Sequence, residues 1–454
     1  MALIAAMHNS LANWNDTTTL DFHRFQTVKA VNSRLNVEGK DGGYPVSDGV
    51  LIAVAMLVNV ESYIGSLESA AAHMQGLKRM IDLRGGIIDG LGYSPVLQRT
   101  IAWADYSYAT AANEPLVLPF IPNLAGSLGL HDRFMSRSMV LNMEPLGYGD
   151  LTIRNREIIE IMELLHSISH FINGFDYNDL ESSVSERVQV SDSIYLAEWK
   201  LCQLEEVLRS KYFTGRTSCS PPSLYSDDTL SPQEAKGPAT DLSDTLIYAA
   251  HLFLHLAVRG QPPTAYRHKI LVESLVSSLY GPLMSLDLLA WPSLTSFEHP
   301  ASCTGNNLVE ASASGRSPAD ERPASPTTDM EFLAGYTSSE RKADAGTPIT
   351  AHDDLHSDIL LWILFTGCCV RIPPTPYNSA YMYHGVIEGN AREFFMSALA
   401  NCCRRRRIFE SGILHTKLKS VVWLGSWCDY QLKTIWLEIE PQIRNFGSSA
   451  LTSG

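Results

Sequence analysis

Apolar residues recur along most of this chain at steps of three and four, the period of a helix buried on one face. The run "DGVLIAVAMLVNVESYI" follows Ser47, and "LESAAAHMQGLKRMIDLR" follows Ser66. Both serines are predicted N-caps. In the second run Leu67, Ala70, Met74, Leu77 and Ile81 form one stripe. The same reading predicts helices over Val96–Asn113, Thr152–Ile172, Val188–Lys211, Asp241–Val258, Ala265–Tyr280, Asp354–Val370, Ala391–Arg407 and Thr416–Glu438. Strand signals are scarce. No Asn-Gly turn joins two alternating runs, and no strand–helix–strand rhythm recurs. The predicted fold class is all-α.

Two stretches break the pattern. Gly215–Thr240 is rich in Ser and Pro, and Thr295–Thr350 contains "ASASGRSPADERPASPTTD". Neither holds an apolar stripe, so both are predicted to be disordered loops. Ser317-Pro318 and Ser325-Pro326 fit a proline-directed kinase, although an unmodified linker is the simpler expectation. The domain reading is one helical domain in three parts, 1–214, 241–294 and 351–446. Loops at 215–240 and 295–350 interrupt it, and a tail, 447–454, follows.

With 454 residues, 45% hydrophobic and 19% charged, the chain can build a large core. Its net charge of −14 opposes nucleic-acid binding through the overall field. The first residues lack a basic n-region, so no secretory signal is expected. The longest apolar run, Val50–Val58, is too short to span a bilayer. A soluble intracellular protein is expected. The eight cysteines (Cys202, Cys219, Cys303, Cys368, Cys369, Cys402, Cys403 and Cys428) include no C-x-x-C pair and read as buried thiols.

Candidate chemistry is sparse. The glycines after Arg84 follow a helix and so meet its negative end, whereas a phosphate loop needs a helix N-terminus. His251 and His255 in "HLFLH" share a helix face, as a zinc site would require, but apolar neighbours favour buried, hydrogen-bonded histidines. His352 and His356 in "HDDLH" resemble H-E-x-x-H with Asp353 replacing Glu; helix entry is the preferred reading over a metalloenzyme site. "RRRR" at Arg404, Arg405, Arg406 and Arg407 reads either as a helix end or as a nuclear-import run. No residue is assigned to catalysis, a cofactor, a metal or DNA.

The segment "HMQGLKRMIDLRGG" resembles a signature of the fungal-specific transcription factor domain, the helical regulatory region of binuclear zinc-cluster regulators. His73, Gly76, Leu77, Met80, Ile81, Leu83, Arg84, Gly85 and Gly86 carry the match. Trp103 and Asp105 resemble that family's Trp-x-Asp helix. "LIYAAHLFLHLAVRGQPP", "ILLWILFTGCCV" around Trp362, and "REFFMSALANCCRRRRI" with the Trp423–Trp436 helix resemble later segments in the same order. The six-cysteine DNA-binding module of such regulators is not present in this sequence.

The resemblance implies a non-enzymatic nuclear protein that modulates transcription by RNA polymerase II. It would act through protein partners (a homodimer or related regulators) or an unknown small-molecule effector, with no membrane and no direct nucleic-acid contact. A stand-alone scaffold that dimerises with intact regulators is the alternative, and a metal-dependent enzyme using "HDDLH" a further one. A truncated gene model, a genuine regulator without a DNA module and a drifted remnant all fit the missing cysteines. Within the signature, Gly76 is expected to allow a close helix–helix approach, Gly85 or Gly86 to take the left-handed C-cap conformation, and Arg84 to tie neighbouring helices together.

Overall fold

Helical periodicity dominates the architecture, a computed structural model that describes residues 5–7, 18–38, 46–122, 151–153, 155–174, 183–216, 240–286, 288, 353–371 and 391–444. In chain order the helices are α1 (Thr18–Glu38), α2 (Asp48–Ile64), α3 (Leu67–Leu83), α4 (Pro95–Ala112), α5 (Arg156–Asn173) and α6 (Ser183–Arg216). Then come α7 (Ser243–Phe253), α8 (Tyr266–Ser285), α9 (Asp353–Cys368), α10 (Ala391–Arg405), α11 (Ser411–Lys419) and α12 (Gly425–Arg444). The only strands among the described residues are β1 (Leu151–Thr152) and β2 (Thr240–Asp241), which pair in parallel. The protein is all-α apart from that short bridge. No helix among the described residues is long and apolar enough to cross a membrane. Most of both predicted loops, and His352, lie outside the described residues, as does the side chain of His356.

Two main apolar clusters hold these helices, and a small third one joins Leu20 of α1 to Leu57, Val60 and Tyr63 of α2 and to Ala265. The larger of the main two runs from Ile153 to Ile443 and draws on α5 to α12. The smaller is built mainly by α2, α3 and α4. The long α6 serves both: Ala197, Leu201, Leu204 and Leu208 enter the first, while Tyr195 and Cys202 enter the second. The stripe predicted on α3 is buried at Ala70, Met74, Leu77 and Ile81, with Met80 added. Helix α1, which the apolar period does not predict, buries a sparser stripe of Leu20 and Val31, with Val28 and Leu35 packed beside them. It also docks through charge, Arg24 donating from Nε and Nη2 to the buried carboxylate of Glu61 on α2 at 2.8 and 2.7 Å.

Helix ends follow local chemistry in some places and tertiary demand in others. Ser94 and Asn155 cap α4 and α5, accepting from Leu97 N and Glu157 N. Ser47 and Ser66 hold the N-cap positions of α2 and α3, yet neither hydroxyl makes the capping hydrogen bond. The continuous helix predicted over Thr416–Glu438 is broken between Lys419 and Gly425. There the carbonyls of Val421, Val422 and Trp423 turn outward, to accept from His166 Nδ1, Trp362 Nε1 and Asn173 Nδ2 at 2.9, 2.8 and 2.8 Å. Three side chains from two other helices thus replace local helical bonds.

Candidate functional site

The "LRGG" signature closes α3 as a structural joint. Gly85 and Gly86 have φ of 91° and 92°, so both occupy the left-handed region that favours glycine. A single π-helical turn, Gly86–Gly90, follows. Arg84 ties α3 back to the start of α2: Nη1 donates to Val46 O at 2.6 Å, and Nη2 reaches Asp48 Oδ1 at 3.2 Å and the Tyr93 hydroxyl at 2.6 Å. Gly76 departs from expectation. It lies on the exposed face of α3, with no atom within 4 Å of where a Cβ would stand. It permits no helix contact, and the close approach occurs instead at Gly367 on α9, where a Cβ would stand 2.5 Å from the ring of Phe395 on α10.

The remaining motif residues also make contacts within the fold. Asp105 is buried and accepts from the backbone N–H groups of Val117 and Leu118 at 3.0 and 2.8 Å, folding the segment after α4 onto the helix. Burial pushes its carboxyl up to about 6, although both hydrogen bonds oppose the shift. Half-buried His73 is pushed below the ordinary imidazole range, mainly by burial. Trp362 is fully buried, its indole N–H bound to Val422 O. The arginine run ends α10 and makes folded contacts. Arg404 donates to Asn401 Oδ1, Arg405 to Leu286 O and Arg406 to Asp358 Oδ1. Arg407 takes a left-handed φ of 56°.

Trp103 leads to a site that motif reading missed. On α4, Arg99, Thr100, Trp103 and Tyr106 fall at i, i+1, i+4 and i+7, one face of the helix. On α6, Arg187, Val190, Ser191, Ile194 and Tyr195 form a matching stripe. The two stripes, with Phe171 and Ile172 from the end of α5 and Arg259 from the end of the α7 segment, line a cavity of about 490 Å³. This is within the usual range for a small-molecule site, about 300–1,000 Å³. It sits where the two apolar clusters meet along α6.

Behind it lies a buried polar cluster. Helix α7 runs on into a π-helical turn, Leu254–Val258, and Arg259 N closes that turn on Leu254 O at 2.9 Å. Such turns often mark functional positions. Arg259 pairs with the fully buried Glu198 of α6, and its guanidinium lies 5.5 Å from the Trp103 ring centre. His251 shares its Nδ1 with Glu205 at 2.5 Å. Fully buried Arg267 donates to Ser107 Oγ at 3.0 Å and the Tyr63 hydroxyl at 3.3 Å. Burial, then Arg267, holds His255 well below the usual imidazole range and pushes His268 down to about 3.

The expectation of hydrogen-bonded histidines holds for His251 Nδ1 and fails elsewhere. His251 Nε2 and both ring nitrogens of His255 are buried without a hydrogen-bond partner. Glu198, His251 and His255 do bring donor atoms within 4.8 Å of one another, the spacing of a candidate metal group. The electrostatics oppose a cation there. Glu198 already neutralises Arg259, and Arg259 and Arg267 both act against positive charge at His255. We therefore read the cluster as a polar core that fixes Arg259 at the cavity wall.

The fold and this site define a class: a large helical domain enclosing an arginine-lined cavity, with its motif residues serving as joints. Residues 2–295 match the profile of the fungal specific transcription factor domain. That is more than half of the chain, and the chain belongs to this family. The matched span includes α1 to α8 and the whole cavity; Trp362 and Arg404–Arg407 lie beyond it. Family membership assigns the protein a role in transcription regulation. No curated protein and no solved structure matched the chain.

Proposed function

We propose that this chain is an effector-responsive regulatory domain that modulates transcription by RNA polymerase II in the nucleus, without catalysis and without DNA contact of its own. The observation that carries the reading is the cavity between α4, α5 and α6, placed where both apolar clusters share α6. A ligand there touches elements of each cluster, so its binding energy can bias how they pack. The output passes to protein partners, either a second copy or related regulators.

Tethering the full chain to a heterologous DNA-binding module upstream of a reporter tests this. Tethering should change reporter output, and Ile194→Trp, which fills the cavity, should alter that change at equal protein level. Output equal to that of the bare DNA-binding module overturns the reading. The same fusion without any added import signal should accumulate in the nucleus, as fluorescence microscopy would show.

A further inference from the structure

The lining of the cavity has an unusual charge balance. The chain carries a net charge of −14, yet the cavity wall holds three arginines and no aspartate or glutamate. The carboxylates that neutralise two of these arginines, Asp192 and Glu198, are not part of the wall. Each ion pair uses Nη2 of its arginine. Nε of Arg99 and Nε of Arg259 are buried and out of reach of a ligand, which leaves Nη1 of each as the donor that can meet one. A guanidinium presents five N–H donors, so each arginine keeps donors beyond its ion pair. Both are held in place by their carboxylates, and a pre-organised fork loses less freedom on binding.

Beside these donors the lining is largely aromatic and apolar. Trp103 and Tyr106 come from α4, Phe171 from α5, and Ile194 and Tyr195 from α6. Aromatic walls favour a flat ligand body, stacked or edge-on. The hydroxyls of Thr100 and Ser191 add hydrogen-bonding capacity beside the arginines.

We infer that the cavity binds a small organic anion: a carboxylate, or an acid of similar shape, on a flat aromatic or otherwise apolar body. The acid group lies against Arg259 and Arg99, and the body packs on Trp103 and the two tyrosines. Arg187, exposed at the rim, draws the anion in. The inference rests on the reading of this cavity as the effector site and adds the ligand's chemical class.

Titration calorimetry on the full chain with three matched probes tests it: biphenyl-4-carboxylate, biphenyl-4-carboxamide and 4-phenylbenzylamine. The carboxylate should bind at least about tenfold more tightly than the carboxamide, and the amine more weakly than both. Raising salt should erode the preference of the carboxylate over the carboxamide. Ile194→Trp should abolish binding of the carboxylate. Arg187→Gln, at an exposed position, should keep the fold and weaken the carboxylate severalfold while leaving the carboxamide unchanged. Arg259→Gln is made together with Glu198→Gln, so that no buried carboxylate is left without its cation, and should narrow the preference for the carboxylate over the carboxamide severalfold, Arg99 retaining the rest. A carboxamide that binds as tightly as the carboxylate overturns the anion assignment while leaving a ligand cavity in place. If none of the three binds, or if Ile194→Trp leaves binding intact, the cavity reading falls as well.

Discussion

Asp105 shows how one side chain can serve the fold at an electrostatic cost. Its two oxygens satisfy two backbone N–H groups, which requires a carboxylate, yet burial disfavours the charge. Asp105→Ala should destabilise the protein by about 2–3 kcal/mol, because two partly buried donors lose their acceptor; chemical denaturation would measure it. His268 makes the opposite contribution with pH. Its folded pKa, about 3, lies below the ordinary 6.5, so unfolding takes up a proton in acid. Stability from this group is present above pH 6.5 and falls as pH drops from 6.5 towards 3, by up to about 1.4 kcal/mol per unit. Asp105 acts in the reverse sense between about 6 and 3.8, since its raised pKa makes the native state the better proton binder there. Comparison of the native chain with His268→Gln isolates the histidine, because both carry Asp105. The variant should lose less stability between pH 6.5 and 4.5; parallel curves would refute this.

At the scale of the element, two helical glycines with the same intrinsic cost have opposite roles. Gly76 is exposed and unobstructed on α3, so Gly76→Ala should stabilise the protein by about 0.5–1 kcal/mol through helix propensity alone. Gly367 lies under the ring of Phe395, and Gly367→Ala should destabilise it by about 1–3 kcal/mol by forcing α9 and α10 apart. Thermal unfolding of the two variants should therefore shift in opposite directions. The break before α12 belongs to this scale too. Its sequence reads as uninterrupted helix, but the carbonyls of Val421 to Trp423 are claimed by His166, Trp362 and Asn173. Replacing Trp362 with Phe keeps most of the packing and removes one of those donors. A loss of about 1–2 kcal/mol is expected by denaturation.

For the whole molecule, α6 is the element on which both clusters and the cavity depend. A ligand that binds the folded state alone raises its stability by mass action. Biphenyl-4-carboxylate at a hundredfold excess over its dissociation constant should add about 2.7 kcal/mol of apparent stability. Ile194→Trp should remove that gain without lowering the stability of the free protein by more than about 1–3 kcal/mol.

The sequence by itself determined the local layer. The apolar period specified helices, because only a 3.6-residue repeat places Ala70, Met74, Leu77 and Ile81 on one buried face. Gly85, Gly86 and Arg84 announced a helix end with a cross-tie, since positive φ favours glycine and a guanidinium spans several acceptors. The ordered motifs pointed to the family. Tertiary structure alone decided where partners meet across long separations. Helix α1 is joined through Arg24 and Glu61 as well as through Leu20 and Val31, and the kink before α12 is set by side chains some 60 to 250 positions away. The cavity belongs to the same layer. Its arginines and aromatics recur at helical spacing on α4 and α6, a signal present in the sequence. A stripe does not say which other stripe it will face, and only packing α4 against α5 and α6 turns two mixed helix faces into one positively lined cavity.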